Sequence, residues 1–276
     1  MKRWIPAVII AVALVVVGGW VMLRGREDEP AATASCPFPA PPTPGQVPIG
    51  IAGTGGQTIT APPGGSGTLK VIDAGFTMFD GASKVTIGAV VENATTQVAY
   101  QTQVIFRATA ADGSAGIGQA ETYRHMFEIP ILRPGQRAVI GDFANVRSRV
   151  TKAGLELIRT QWIPAGDTAS YPAINATAAG SAETGGIPVT TTSDACHDLV
   201  DRGVSLVFRN AAGKIVGGTF DLYSKAGLCR TPTSHREILS FPSVPAGADL
   251  GRTQATVFCD VTGPASADPG PDQAVN

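Results

Sequence analysis

Four cysteines, three histidines and one short acidic cluster offer the most chemistry in this chain. Cys36, Cys196, Cys229 and Cys259 are even in number and contain no Cys-x-x-Cys spacing. That suits disulfides in an oxidising compartment better than a metal site in the cytosol. Four cysteines allow three pairings. A link from the second to the sixth strand of a sandwich would join Cys196 to Cys259 and leave Cys36 with Cys229. Any pairing that uses all four ties Cys36 to the C-terminal half. The alternative is a Cys36 left unpaired or bonded to a second molecule.

Asp194, His197, Asp198 and Asp201 lie together in DACHDLVD. Carboxylates and an imidazole can hold a divalent cation, but this spacing matches no calcium loop and no zinc motif. A solvated loop beside a disulfide is the plainer expectation. His125 and His235 stand far from His197 in sequence. No Gly-x-Ser-x-Gly elbow is present to seat a nucleophile. Gly53-Thr-Gly-Gly-Gln-Thr58 lacks the lysine of a phosphate loop. Asn93-Ala-Thr95 and Asn175-Ala-Thr177 fit the glycosylation sequon, which matters only in a host with that machinery. The expectation is therefore no catalytic, cofactor-binding or metal-binding residue, and no enzyme.

Placement is easier to read than chemistry. Residues 5–23, IPAVIIAVALVVVGGWVML, form an apolar run of 19 residues without a charge. As a helix it spans about 28 Å, close to the hydrocarbon core of a bilayer. Trp4 and Trp20 stand near its ends, where indole rings favour the headgroup zone. A cleaved signal peptide has a shorter apolar run and a small-x-small site soon after it. Here Ala32-Thr-Ala34 lies beyond the charged run Arg24 to Glu29. Ile5 to Leu23 therefore reads as a retained transmembrane anchor, with cleavage as the alternative. Flanking basic residues nearly balance, so orientation rests on the cysteines and the body: residues 1–4 inside, the rest outside.

Net charge is -1, with 21 basic and 22 acidic side chains. Such a balance gives no electrostatic support for nucleic-acid binding. Gly (33) and Pro (21) are frequent, which favours strands joined by turns over long helices. The Ala, Gly, Thr and Arg usage resembles that of high-GC actinobacterial proteins. Residues 24–66 read as a Pro/Gly-rich linker and 263–276 as a disordered tail.

Between them the predicted class is all-β. Strand patterns occur at 68–79, 84–93, 101–109, 127–132, 137–143 and 155–163, with Asp112-Gly113 and Arg133-Pro-Gly135 as turns. The second half echoes the first. Val104-Ile-Phe-Arg107 before Asp112-Gly113 matches Leu206-Val-Phe-Arg209 before Ala212-Gly213. Glu128 to Gly135 matches Phe241 to Gly247 more loosely. Two tandem sandwiches, 67–165 and 166–262, follow from this. After Gly247 one clear strand remains, QATVFCDV at 254–261.

The segments VIFRATAADG (104–113) and VFRNAAGKIVGG (207–218) resemble the FxLYD-type Ig-like domains of bacterial extracytoplasmic proteins. The literal Phe220-Asp-Leu-Tyr223 lacks the following Asp and falls one strand too late. The resemblance implies an exported sandwich that supports protein or wall contacts, and no enzyme. The functional expectation is a membrane-anchored cell-envelope binding or scaffold protein, meeting another envelope protein or a wall polymer. An accessory subunit of a membrane complex, with Gly18-Gly19 at a helix contact, and an exported hydrolase with an unusual site are the alternatives.

Overall fold

A computed structural model describes residues 39–42, 47–79, 81, 83–118, 124–168, 171–183, 186–221, 228–229, 235–239 and 244–264. The segment expected to form an anchor, Ile5 to Leu23, lies outside these residues, as do Cys36 and residues 265–276. Among the described residues no helix is long and apolar enough to cross a membrane.

The fold is all-β and antiparallel. Strands β1 (Ile49–Gly56), β8 (Val150–Pro164), β5 (Gln97–Ala110) and β6 (Met126–Leu132) form one sheet in that order. Strands β2 (Thr58–Thr60), β3 (Thr68–Phe79), β4 (Lys84–Asn93) and β7 (Arg137–Asn145) form a second. The two pack face to face around Leu69, Ile87, Phe106, Ile140, Leu157 and Trp162, all nearly or fully buried. Alternation explains the facing. In β5, Val104 and Phe106 point into this core while Gln103 and Arg107 point away.

Strands β12 (Ile215–Asp221), β11 (Leu199–Asn210) and β14 (Ala248–Pro264) form a third sheet. Strands β13 (His235–Leu239), β10 (Ile187–Ser193) and β9 (Ile174–Ala178) form a fourth. A second core lies here, built from Val189, Leu206, Phe208, Leu228 and Val261 among others. A short 3-10 turn, Ala165–Thr168, follows β8, and the chain beyond it supplies the second core while also lending Phe258 to the first.

Two sequence expectations change. The linker predicted over residues 24–66 is not all linker. Ile49 to Ile51 pairs with Gln161 to Arg159 of β8, and Thr58–Thr60 pairs with Thr68 to Lys70 of β3. Glycine-rich composition hid these strands, yet Gly50 is there for a reason. A Cβ at that position would sit 2.5 Å from Trp162 Nε1 and 2.7 Å from Ile59 Cγ2. The strand lies directly over the buried indole, and only glycine fits. Strands β9, β10 and β13 also lack a clear pattern in the sequence: INATA and IPVTTTS are rich in Thr or Ala with little apolar alternation, and HREIL is short.

The two cores are fused by a seam. Both β4 and β11 are buried on both faces for much of their length. Between them stand small residues: Gly75, Gly88 and Gly141 on one side, Gly217 and Gly218 on the other. A Cβ on Gly218 would lie 2.5 Å from the Gly141 Cα. One on Gly88 or Gly75 would overlap the carbonyl oxygens of Gly217 or Ile215. The backbones thus approach far closer than the ~10 Å of ordinary stacked sheets. A small apolar patch, Val90, Val139, Val207 and Ile215, fills the remainder. A run of rings adds a second tie: Phe106 to Phe127 (5.8 Å), Phe127 to Phe220 (4.7 Å), Phe220 to Phe258 (5.8 Å).

Candidate functional site: strand edges and an open flank

Close backbone approach creates a hydrogen-bonding problem. Strand β7 is a sheet edge, and its register with β4 uses the even-numbered residues. The amides of Val139, Gly141 and Phe143 are left without a strand partner, and a buried amide without one is costly. Side chains resolve this. Val139 N–H donates to Thr256 Oγ1 (2.8 Å), Gly141 N–H to Ser205 Oγ (2.5 Å) and Phe143 N–H to Asp142 Oδ1 (2.7 Å). Strand β12 is treated in the same way. Thr77 Oγ1 donates to the Val216 carbonyl (2.6 Å). Thr86 Oγ1 donates to the Gly218 carbonyl (2.5 Å) and accepts from the Gly218 amide (2.8 Å). Two edges that would otherwise invite another strand are closed by hydroxyls and one carboxylate.

That arrangement assigns a role to the acid–base pair. His125 Nδ1 lies 2.5 Å from Asp142 Oδ2, and both residues are buried. The other Asp142 oxygen is the acceptor of the Phe143 amide. His125 stands just before β6 and Asp142 on β7, so the pair joins the two sheets around the first core.

The acidic cluster is dispersed into local structure. Asp194 Oδ1 accepts from the Ala173 amide (2.6 Å). Asp201 Oδ1 accepts from the Gly203 amide (2.7 Å) at a bulge where Gly203 has φ +106. Asp201 Oδ2 is buried without a hydrogen-bond partner. Desolvation raises the pKa of this carboxyl above its ordinary value; the Gly203 amide opposes the shift and the nearby Asp221 charge adds to it. His197 and Asp198 each make contacts of their own. Among the described residues, no group of three or more His, Cys, Asp or Glu side chains could hold a metal. Gly53 to Gly56 belongs to β1.

The disulfide expectation is corrected. Cys229 bonds Cys259, not Cys196 to Cys259. Cys196 is itself disulfide-bonded, and Cys36 lies outside the described residues. The reason lies in topology. β11, which follows Cys196, and β14, which carries Cys259, are neighbours in one sheet. Cys196 lies on the connection from β10 to β11 and Cys229 on the one from β12 to β13; it is the second that brings its cysteine against β14. Leu228 and Cys229 are buried there, with the Leu228 carbonyl accepting from Thr191 Oγ1 (2.8 Å) and the Cys229 carbonyl from the Leu199 amide (2.9 Å). Nothing in the local sequence marks Leu228 and Cys229 as core residues.

One sequon is structural. Asn93 is fully buried, and its Nδ2 donates to the carbonyls of Gln97 (2.8 Å) and Leu132 (2.7 Å). Asn175 lies exposed on β9.

Among the described residues the other flank of the first sheet pair carries no such caps. β2 covers β3 only over Thr68 to Lys70, with one further bond from the Val71 amide to the Gln57 carbonyl (2.9 Å). A bulge at Ile72 follows. From Ala74 to Phe79, β3 pairs with β4 alone among the described residues. Alongside, β1 exposes Ile49 (57 %) and Ile51 (72 %). A shallow cleft of about 80 Å³ between the β6–β7 turn and β9 and β14 is lined by Ile131, Arg133, Pro172 and Phe258. Arg133 closes part of it by donating to the Tyr171 and Pro172 carbonyls.

No family model matches the chain, and no curated protein aligns with it. Among solved structures, a tetra-tandem repeat from the extending region of a large adhesion protein aligns at 10 % identity with a TM-score of 0.17. The alignment covers 74 % of this chain and 55 % of that one.

Proposed function

We propose that this chain is a membrane-anchored, extracytoplasmic envelope protein that works as a binding scaffold and performs no catalysis. In this reading Ile5 to Leu23 is the anchor and the residues after it stand outside the membrane. The displayed body is two tandem Ig-like sandwiches of the FxLYD kind, and its partner is another envelope protein or a wall polymer. The observation that carries the reading is the use of the polar side chains. The most enzyme-like pair, His125 and Asp142, is spent on bridging two sheets and capping the Phe143 amide. Asp194 ties the residue before β9 to the end of β10, and Asp201 holds a bulge in β11. The Cys229–Cys259 bond within the second core suits an oxidising compartment. A seam made of backbone and hydroxyls favours a stiff spacer over a hinged clamp.

Fractionation combined with protease treatment of intact cells tests this. The chain is expected in the membrane fraction, with its body digested by protease added outside. Recovery in the soluble cytosolic fraction, or full protection from external protease in wall-stripped cells, would overturn it.

A further inference from the structure

We infer that the uncapped edge of β3, Ala74 to Phe79, is a self-association surface that receives the same strand of a second copy. Three observations point there. First, this protein caps buried edges where pairing must be prevented: β7 uses Thr256, Ser205 and Asp142, and β12 uses Thr77 and Thr86. Among the described residues the edge of β3 from Ala74 to Phe79 receives no such cap, and Thr77 within it is turned to β12. Second, the register fixes which groups are free. The ladder to β4 takes Gly75, Thr77 and Phe79, so the amides and carbonyls of Ala74, Phe76 and Met78 face outward. Third, the segment is complementary to itself.

A two-fold contact places identical strands antiparallel, so any charge near the axis meets its own kind. With the axis at Phe76, Phe76 faces Phe76 and Ala74 faces Met78 of the other copy. Asp73 faces Phe79 and is already paired with Arg209 at 2.6 Å, and Asp80 follows the segment in sequence. Within Asp73 to Phe79 no two like charges face one another directly. The three outward residues of each copy supply about six main-chain hydrogen bonds. The second sheet of each copy would thereby become half of an eight-stranded sheet. β2 and the incoming strand occupy successive stretches of the edge, with the bulge at Ile72 marking the change.

Sedimentation of the full chain in detergent over a range of concentrations, with hydrogen exchange at the two extremes, tests this. The expected result is a reversible monomer–dimer equilibrium, with exchange at Ala74, Phe76 and Met78 slowing as dimer forms. Ala74→Pro removes one outward amide at an exposed position and no internal ladder bond. It should weaken dimerisation at least ten-fold. Monomer at every concentration would overturn the inference. So would a dimer of unchanged strength in a folded Ala74→Pro chain, which would place the contact elsewhere, for example in the apolar segment. If Ala74→Pro lowers the melting temperature sharply, wild-type exchange decides: concentration-independent exchange at these amides rejects the β3 edge.

Discussion

Thr86 and Gly218 exchange two hydrogen bonds across the seam, the hydroxyl donating to the glycine carbonyl at 2.5 Å and accepting from its amide at 2.8 Å. One side chain thus serves both polar groups that β12 presents at this point of its edge. Replacing Thr86 by Val keeps the shape and strands both groups. The expected loss is about 2–6 kcal/mol, since each of the two buried unsatisfied groups costs roughly 1–3 kcal/mol. Thr86→Ser should recover most of it. Urea midpoints at constant m-value measure the difference.

Glycine is required at the seam by backbone contact. A Cβ at Gly141 would overlap the Thr219 amide nitrogen and the Leu206 carbonyl oxygen, neither of which can move alone. Gly141→Ala should cost about 3 kcal/mol or more, at the upper end of overpacking effects. Gly154 in β8 has open space around its Cβ position. Gly154→Ala should be within about 0.5 kcal/mol of wild type, as surface substitutions usually are. Thermal melts of the two variants separate a seam effect from a general dislike of side chains in strands.

Asp142 is expected to act as an edge cap. In Asp142→Ala the Phe143 amide loses its acceptor and His125 loses this carboxylate contact. Hydrogen exchange at Phe143 should accelerate more than at Ile140, whose amide stays in the β4 ladder. Equal acceleration at both would indicate global destabilisation and contradict the capping role.

Asp201 should make stability fall as pH rises. Its folded-state pKa is raised, chiefly by desolvation, above the ordinary 3.8. Between those two values the native state holds more protons than the unfolded chain. Stability is therefore greatest below the unfolded value and declines as pH climbs through the folded one. Asp201→Asn keeps an oxygen for the Gly203 amide and removes the charge. It should raise the melting temperature at pH 7 relative to wild type, and the advantage should vanish near pH 3. An advantage of equal size at both pH values would assign the effect to something other than ionisation.

The two halves of the fold were unequally legible in sequence. β3, β4, β6 and β7 follow alternation and turns closely, because each has a clear core face marked by residues such as Leu69, Ile87, Ile129 and Ile140. β1 and β9 did not announce themselves. Gly50 is demanded by Trp162 rather than by flexibility, and composition cannot distinguish the two. The seam left a trace in Thr86-Ile-Gly88 and Val216-Gly-Gly-Thr219, since glycine inside a strand pattern marks close backbone approach. That trace identifies the strand but not its partner. The disulfide was illegible for a related reason. Pairing depends on where the β12–β13 connection enters the second core, and nothing local to Cys229 encodes it.

The claim at the centre is that the two cores share one cooperative unit through backbone and hydroxyl contacts. Native-state hydrogen exchange on the full chain addresses it directly, comparing the amides of Gly141 and Gly218 with core amides of Phe106 and Phe208. The expected result is one opening free energy for all four, within about 1 kcal/mol, and a single thermal transition. Distinct opening free energies for Phe106 and Phe208, with Gly141 and Gly218 exchanging near the surface limit, would contradict this and make the seam a loose contact between independent halves.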